Sequence, residues 1–297
     1  MPSVKDYFIA TRPWSFPMSV ISVTVGTLVA ASHGPMHWVA FGLVVLGIVA
    51  FHAATNVLND YFDTCYAVDQ PDSPTARYRP HPILAKLLTP GQLLTEAMVL
   101  YGVTIAIGVF LAVTFSILVL WVGLIGFLAS VFYTAGPVKY KYKAFGELSV
   151  AFMWGPLMVE GAYAVQRNVF SLEAFYLSIP FGALVALVLL ANNTRDIAYD
   201  ARQGITTISI LLGEKGSLVL YTGLIAAAYL SMVLMVLLNL VSPWSLLVLL
   251  SLPKAVSLLR SFARKVPEAA DAITAQLDTA FGVLLIGGLI LQTVVPI

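Results

Sequence analysis

Nine stretches of this chain, roughly residues 16–33, 38–59, 92–113, 115–133, 147–166, 174–193, 217–239, 243–260 and 275–296, are apolar over lengths suited to crossing a bilayer. Lipid offers no water to backbone amides, so such segments satisfy their own hydrogen bonds as helices. The fold predicted is an all-α polytopic membrane protein, a single domain of nine transmembrane helices over residues 1–297. Composition agrees: 59% hydrophobic and 10% charged residues lie outside the range of soluble domains. The first run resembles a secretory signal, with Lys5 and Arg12 before it and Ala30-Ala31-Ser32 at its end. Its length, Pro17 and the spans that follow favour an uncleaved first helix.

Nine spans place the N-terminus and connections 2–3, 4–5, 6–7 and 8–9 on one side. Of the 16 Lys and Arg, only Arg167 falls on the other, so the positive-inside rule puts the N-terminus in the cytoplasm and the C-terminus outside. A net charge of +1 argues against a nucleic-acid partner. The single cysteine, Cys65, excludes an internal disulfide.

Against this apolar background two polar clusters stand out. Asn56, Asn59, Asp60 and Asp63 follow the i, i+3, i+4, i+7 spacing that forms one stripe on a helix. Asn192, Asn193, Asp196 and Asp200 nearly repeat it at the end of the sixth span. Both stripes lie at cytoplasmic helix C-termini, where the macrodipole disfavours a carboxylate by roughly 0.3–1 kcal/mol. Positive charge is therefore expected beside them. Oxygen-only donors suit a hard cation such as Mg²⁺ held together with a substrate phosphate. A lone Asp-x-x-Asp would read as ordinary polarity at a helix end. Two matched stripes at same-side ends read as a site, because ionisable groups this close to the bilayer are functional by default.

Candidate cations are available in the adjoining loops: Arg77, Arg79, Lys139, Lys141, Lys143, Arg195 and Arg202. Each also serves as a topology signal. The connection from about 64 to 91 is long, proline-rich and charged, and suits a segment that covers a site. Tyr133, Tyr140 and Tyr142 accompany the helix break at Gly136-Pro137 and are candidates for stabilising a cationic carbon or for an aromatic belt.

These residues resemble the UbiA-type intramembrane aromatic prenyltransferases, most of all the branch acting on 1,4-dihydroxy-2-naphthoate. The matching stretches are Arg12-Pro13, Asn56-x-x-Asn59-Asp60-Tyr-Phe-Asp63 with Val68-Asp69, Arg79-Pro80, Tyr133-Thr-Ala-Gly136-Pro137, Gly146-Glu147, Asn192-Asn193-x-Arg195-Asp196-x-x-x-Asp200, Gly204-Ile-Thr-Thr207 and Leu212-Gly213. The resemblance implies nine helices around a central cavity with a cytoplasmic cap. It implies two Mg²⁺ sites, one served by Asn59, Asp60 and Asp63 and the other by Asp196 and Asp200, with Asn56, Asn192 and Asn193 completing or orienting those shells. Arg77, Arg79, Lys141 and Arg202 would contact diphosphate oxygens, and Tyr133 and Tyr142 would line the cavity. The expected reaction is transfer of a polyprenyl group from an allylic isoprenyl diphosphate, such as geranylgeranyl diphosphate, to an aromatic acceptor in menaquinone biosynthesis. It would proceed through a carbocation with release of diphosphate, in contact with membrane lipid.

The chain departs from the commoner family motif at Ala67, where a further Asp is usual, and this leaves Asp69 outside the expected ligand set. Asp69 and Asp72 are weak candidates for a base, and Glu160 in the fifth span is either satisfied internally or faces the cavity. Other acceptors, namely 4-hydroxybenzoate, geranylgeranylglyceryl phosphate or a porphyrin, remain alternatives. A cation-coupled transporter would interrupt its helices near mid-membrane, whereas the acids here lie at helix ends. A phosphatidyltransferase of the CDP-alcohol type would need a closely spaced Asp-Gly…Ala-Arg…Gly…Asp…Asp pattern that the chain lacks.

Overall fold

A computed structural model describes residues 2–295. Among them the α-helices run α1 Val4–Ala10, α2 Phe16–Ser32, α3 Trp38–Cys65, α4 Pro74–Tyr78, α5 Pro90–Thr114, α6 Leu118–Thr134, α7 Gly146–Phe152, α8 Met158–Arg167, α9 Leu172–Arg202, α10 Ile208–Leu237, α11 Leu252–Arg264 and α12 Ala270–Val294. A π-helical segment, Met153–Leu157, joins α7 to α8, and a 3₁₀ segment, Pro243–Ser251, leads into α11. The described residues contain no strand, only an isolated bridge between Lys143 and Thr206.

Eight helical stretches are long and apolar enough to cross a membrane. The fourth expected span, 115–133, is the helix Leu118–Thr134, whose 17 residues rise about 26 Å against a hydrocarbon core of about 30 Å. The acid-bearing spans are longer than predicted. α3 continues to Cys65 and α9 to Arg202, so each stripe is fully helical and its side chains share one face.

Local chemistry sets the helix ends. α5 starts on a capping box in which the Thr89 hydroxyl accepts from Gln92 N at 3.3 Å and Gln92 Oε1 accepts from Thr89 N at 2.9 Å. At the membrane face away from the stripes, Glu160 accepts a hydrogen bond from Ser171 N at 3.0 Å and so satisfies the amide just before α9. Glu160 is thus one of the internally satisfied groups. Arg167, the one cation off the positive side, donates to Ala30 O at 2.9 and 2.6 Å and closes the C-terminus of α2.

Packing inside the bilayer depends on close approach, because lipid is as apolar as a leucine side chain. α2 meets α8 at Gly26, where a Cβ would stand 2.0 Å from Val159 O, and α9 meets α7 at Gly182, where it would stand 2.6 Å from Ala151 O. The largest core cluster joins α2, α8, α9, α10, α11 and α12 around Phe181, Tyr221, Phe281 and Leu285. α3, α5 and α6 pack through smaller clusters, two of which also include α8. Gly155, at φ −78° and ψ −108°, and Pro156 break the helical line between α7 and α8. That break lies beside Trp154, which faces the cavity described next.

Candidate active site

The two stripes line one cavity of about 270 Å³, with Asn56, Asn59 and Asp63 on one wall and Asn192, Asn193, Asp196 and Asp200 on the other. They are close enough that the charges of Asp63 and Asp69 act on Asp200, and that of Asp69 on Asp196. Arg79, Lys141 and Tyr133 share the same lining.

Asp60 is fully buried and does not reach this surface. Arg79 holds it with a two-pronged bond, Nη1 to Oδ2 at 3.1 Å and Nη2 to Oδ1 at 2.7 Å, and Arg12 adds a further ion pair to Oδ1. His81 Nε2 stands 3.9 Å from Asp60 Oδ1 and 3.2 Å from Asp69 Oδ2. Asp60, Asp69 and His81 can bring one ligand atom each within 4.8 Å of one another. Burial opposes ionisation of Asp69, but the hydrogen bond from His81 and the charge of Lys141 hold its carboxyl below the ordinary range.

Asp63 is met by Lys141, whose Nζ lies 2.6 Å from Oδ2, and by a short hydrogen bond from the Tyr142 hydroxyl. Burial, and then the charge of Asp63, push the Tyr142 phenol well above its usual range, so Tyr142 stays a donor. Asn59 Oδ1 accepts from Thr134 at 3.0 Å, which orients the amide. On the second wall Arg195 clasps Asp196 through Nε and Nη2, both at 2.7 Å, and also binds Asp271 at 2.9 Å and Asn192 at 2.8 Å. Asn193 donates to Glu147 at 2.9 Å, leaving the other Glu147 oxygen buried without a partner among the described residues. No hydrogen bond among the described residues reaches the Asp200 carboxylate, which faces the cavity.

Three connections, 66–73, 135–145 and 203–207, touch one another beside the cavity, the first and third through Gln70 Nε2 donating to Gln203 Oε1 at 3.3 Å. Tyr199 donates to Val68 O at 2.8 Å, and the segments 142–144 and 206 exchange Ala144 N to Thr206 O at 2.9 Å and Thr206 N to Tyr142 O at 3.1 Å. Arg77 and Arg202 do not join the cavity wall. Both are exposed, and Arg202 lies over the Tyr199 ring at 5.5 Å. Helix α4 turns Arg77 outward while the extended backbone at Arg79 turns its side chain in. Lys139 sits over the Tyr66 ring at 3.2 Å.

Residues at the site outside the predicted set include Arg12, His52, Asp69, His81, Trp154 and Asp271. His52 was findable, since it lies four residues before Asn56 and extends the first stripe by one turn. Both of its ring nitrogens meet a hydroxyl. Asn56 donates to Ser15 Oγ at 3.1 Å while the Ser15 hydroxyl donates to Arg12 O at 2.8 Å, so His52 Nε2, at 3.2 Å, must donate to Ser15. Nδ1 then accepts from Ser19 at 2.8 Å, and Ser19 accepts from Trp154 Nε1 at 3.0 Å. His52 is thus held between Ser15 and Ser19 on the cavity wall.

Fold and site together define an integral membrane protein with an acid- and amide-lined cavity, ringed by cations, at one end of a helical bundle. A family model described as the UbiA prenyltransferase family matches residues 19–284. The chain belongs to that family and is a prenyltransferase. It is 31% identical over 286 residues to the 1,4-dihydroxy-2-naphthoate octaprenyltransferase of Bacillus subtilis (strain 168), covering 95% of this chain and 91% of that one. It is 30% identical over 289 residues to human UbiA prenyltransferase domain-containing protein 1, covering 96% and 83% of the two chains. The fold resembles the apo structure of a UbiA homolog from Aeropyrum pernix K1, with TM-score 0.71, 18% identity and coverage of 94% and 98%. It also resembles a UbiA homolog from Archaeoglobus fulgidus bound to GPP and Mg²⁺, with TM-score 0.63, 14% identity and coverage of 95% and 99%.

Proposed function

We propose that this enzyme transfers a polyprenyl group from an allylic isoprenyl diphosphate, such as geranylgeranyl diphosphate, to 1,4-dihydroxy-2-naphthoate in menaquinone biosynthesis. The observation that carries the reading is the convergence of both stripes and their cations on one cavity. The similarity to the Bacillus enzyme supports the acceptor, and the Archaeoglobus homolog bound to GPP and Mg²⁺ supports the donor and the metal. In this reading nine helices span the cell membrane, N-terminus inside and C-terminus outside, and the three loops form a cap over a site that opens toward the cytoplasm.

The donor set fits Mg²⁺ in chemistry, since carboxylate and amide oxygens dominate both walls. Asn59 and Asp63 would hold one ion, joined by Asp60 once Arg79 turns from its carboxylate to the diphosphate, and Asp196 and Asp200 would hold a second, with Asn56, Asn192 and Asn193 orienting the shells. When bound, the metal neutralises diphosphate charge and makes it a better leaving group. The protein's own cations act in the same sense. Arg79 and Lys141, now paired with Asp60 and Asp63, stand where they can pass to diphosphate oxygens as charge develops on the departing group. Tyr133 presents an aromatic wall to the allylic cation. Trp154, Met18 and Val150 exclude water that would otherwise capture that cation. The acceptor's carboxylated ring carbon would attack, and loss of carbon dioxide, whose bonding pair returns to the ring, would restore the aromatic system.

The test is prenyl transfer by purified protein with Mg²⁺, a labelled donor and a panel containing 1,4-dihydroxy-2-naphthoate, 4-hydroxybenzoate, geranylgeranylglyceryl phosphate and a porphyrin. Preferred prenylation of the naphthoate with release of carbon dioxide is expected. Preference for another acceptor overturns the assignment.

A further inference from the structure

The two asparagines of the second stripe are held in opposite senses. Asn192 Oδ1 accepts from Arg195 Nη2 at 2.8 Å, so a cation already engages its oxygen. Asn193 instead donates through Nδ2 to Glu147 Oε1 at 2.9 Å, and no hydrogen bond among the described residues reaches its Oδ1. The nitrogen and oxygen of a side-chain amide sit on opposite branches of one plane. Fixing Nδ2 against Glu147 therefore turns Oδ1 the other way, and Asn193 lines the acid-lined cavity. A carboxylate suits this task because it accepts and cannot donate, whereas a neighbour able to do both would let the amide sit either way round. Glu147 is 5% exposed, its one side-chain partner among the described residues is Asn193, and its Oε2 is buried without any. A carboxylate that merely complemented the N-terminus of α7, where Glu147 occupies the first turn, could do so from solvent. The burial instead comes from a close approach: a Cβ at Gly146 would stand 3.1 Å from Leu189 Cδ2, which presses the start of α7 onto α9 one turn before Asn193. The first stripe carries the same device. Asn56 Nδ2 donates to Thr11 O at 3.0 Å and Ser15 Oγ at 3.1 Å, and no hydrogen bond among the described residues reaches its oxygen.

We propose that Glu147 is a positioning residue, whose carboxylate locks the Asn193 amide with its oxygen toward the cavity, where that oxygen serves the cation of the second stripe. The proposal rests on the Mg²⁺-dependent reading above and gives the two asparagines separate parts: Asn192 steadies Arg195, and Asn193 faces the ion. A neutral oxygen beside Asp196 and Asp200 adds a donor suited to a hard cation without adding a third negative charge. With the amide reversed, its N–H groups would point at the cation and oppose binding. Groups that orient a ligand in this way change metal affinity by about 10–100-fold when removed.

The test uses full-length protein in lipid nanodiscs and reads the Mg²⁺ concentration that half-saturates binding of labelled geranylgeranyl diphosphate. In Glu147→Leu the amide is free to turn, and that concentration is expected to rise at least about tenfold. Glu147→Met carries the same expectation, so a folding failure of one leaves the other to decide. Glu147→Gln still presents an acceptor oxygen and should stay within about threefold of the unmodified protein. Asn193→Asp alone should raise the requirement at least about tenfold, because it sets two carboxylates against each other. Combined with Glu147→Leu, the same change offers an oxygen whichever way residue 193 turns, and the requirement should return to within about threefold of the unmodified value. A Glu147 that only supported the fold would give no such rescue. An unchanged Mg²⁺ requirement in Glu147→Leu, or a double variant no better than Glu147→Leu, overturns the positioning role and leaves the enzyme reading intact. Donor binding by the unmodified protein that ignores Mg²⁺, or no binding at all, overturns the Mg²⁺-dependent reading and the proposal with it.

Discussion

Asp60 and Arg79 form the most buried ion pair at the site, and their coupling can be worked from the geometry. The Asp60 side chain is 0% exposed and that of Arg79 5%, and they share two hydrogen bonds of 3.1 and 2.7 Å. Breaking a buried pair by removing one partner costs about 3–5 kcal/mol, because the survivor is left uncompensated. Arg12, 23% exposed, continues to neutralise Asp60 when Arg79 is lost, so Arg79→Gln should cost less than this range, about 2 kcal/mol. Asp60→Asn leaves two guanidinium groups facing a neutral amide and should cost about 3 kcal/mol or more. With both changes made, Arg12 loses only its bond to Asp60, and it reaches solvent. The double-mutant cycle should therefore show a coupling of about 2 kcal/mol. Unfolding in mixed micelles with EDTA present, followed by tryptophan fluorescence, measures each corner. Additivity within about 0.5 kcal/mol would refute the idea that this pair organises the metal-free site.

Other substitutions separate structural from chemical roles. Asp200→Asn should reduce prenyl transfer at least about 100-fold while leaving stability unchanged or higher, since it relieves repulsion in the acid cluster without breaking a described hydrogen bond; parallel melting and activity assays decide. Tyr142→Phe should lower kcat about tenfold through loss of its bond to Asp63. Because the phenol is pushed above its ordinary pKa of about 10, deprotonation of Tyr142 should contribute no alkaline loss of activity below that pH, and the pH profiles of Tyr142→Phe and the unmodified enzyme should run parallel there. Glu160→Ala should cost about 1–2 kcal/mol by orphaning Ser171 N, with kcat within about twofold of the unmodified enzyme. Removal of Mg²⁺ by EDTA should abolish transfer, and added MgCl₂ should restore it.

Much of this site is legible in the chain because membrane helices obey few rules. Residues 56, 59, 60 and 63 share a face by helical periodicity alone, and a carboxylate at a helix C-terminus demands a cation nearby. Lys141 and Arg79 meet that demand. Periodicity does not reveal how a loop folds, so it could not distinguish Arg79, turned inward by an extended backbone after α4, from Arg77 two residues earlier. Asp69 and His81 were obscure for the same reason: they reach Asp60 only through the turns of the 64–90 connection. The shorter reach of Leu118–Thr134 was hidden because an apolar run continues through Phe115-Ser116-Ile117, where the backbone has already left α5 but not entered α6.

The central claim is that the two stripes act as one diphosphate site, and binding tests it directly. Labelled geranylgeranyl diphosphate should bind the purified protein only with Mg²⁺. Asp60→Asn and Asp196→Asn should each weaken that binding at least about 100-fold, with the double variant no worse than either single change. Undiminished binding by Asp196→Asn, or losses from the two variants that simply add, would contradict it.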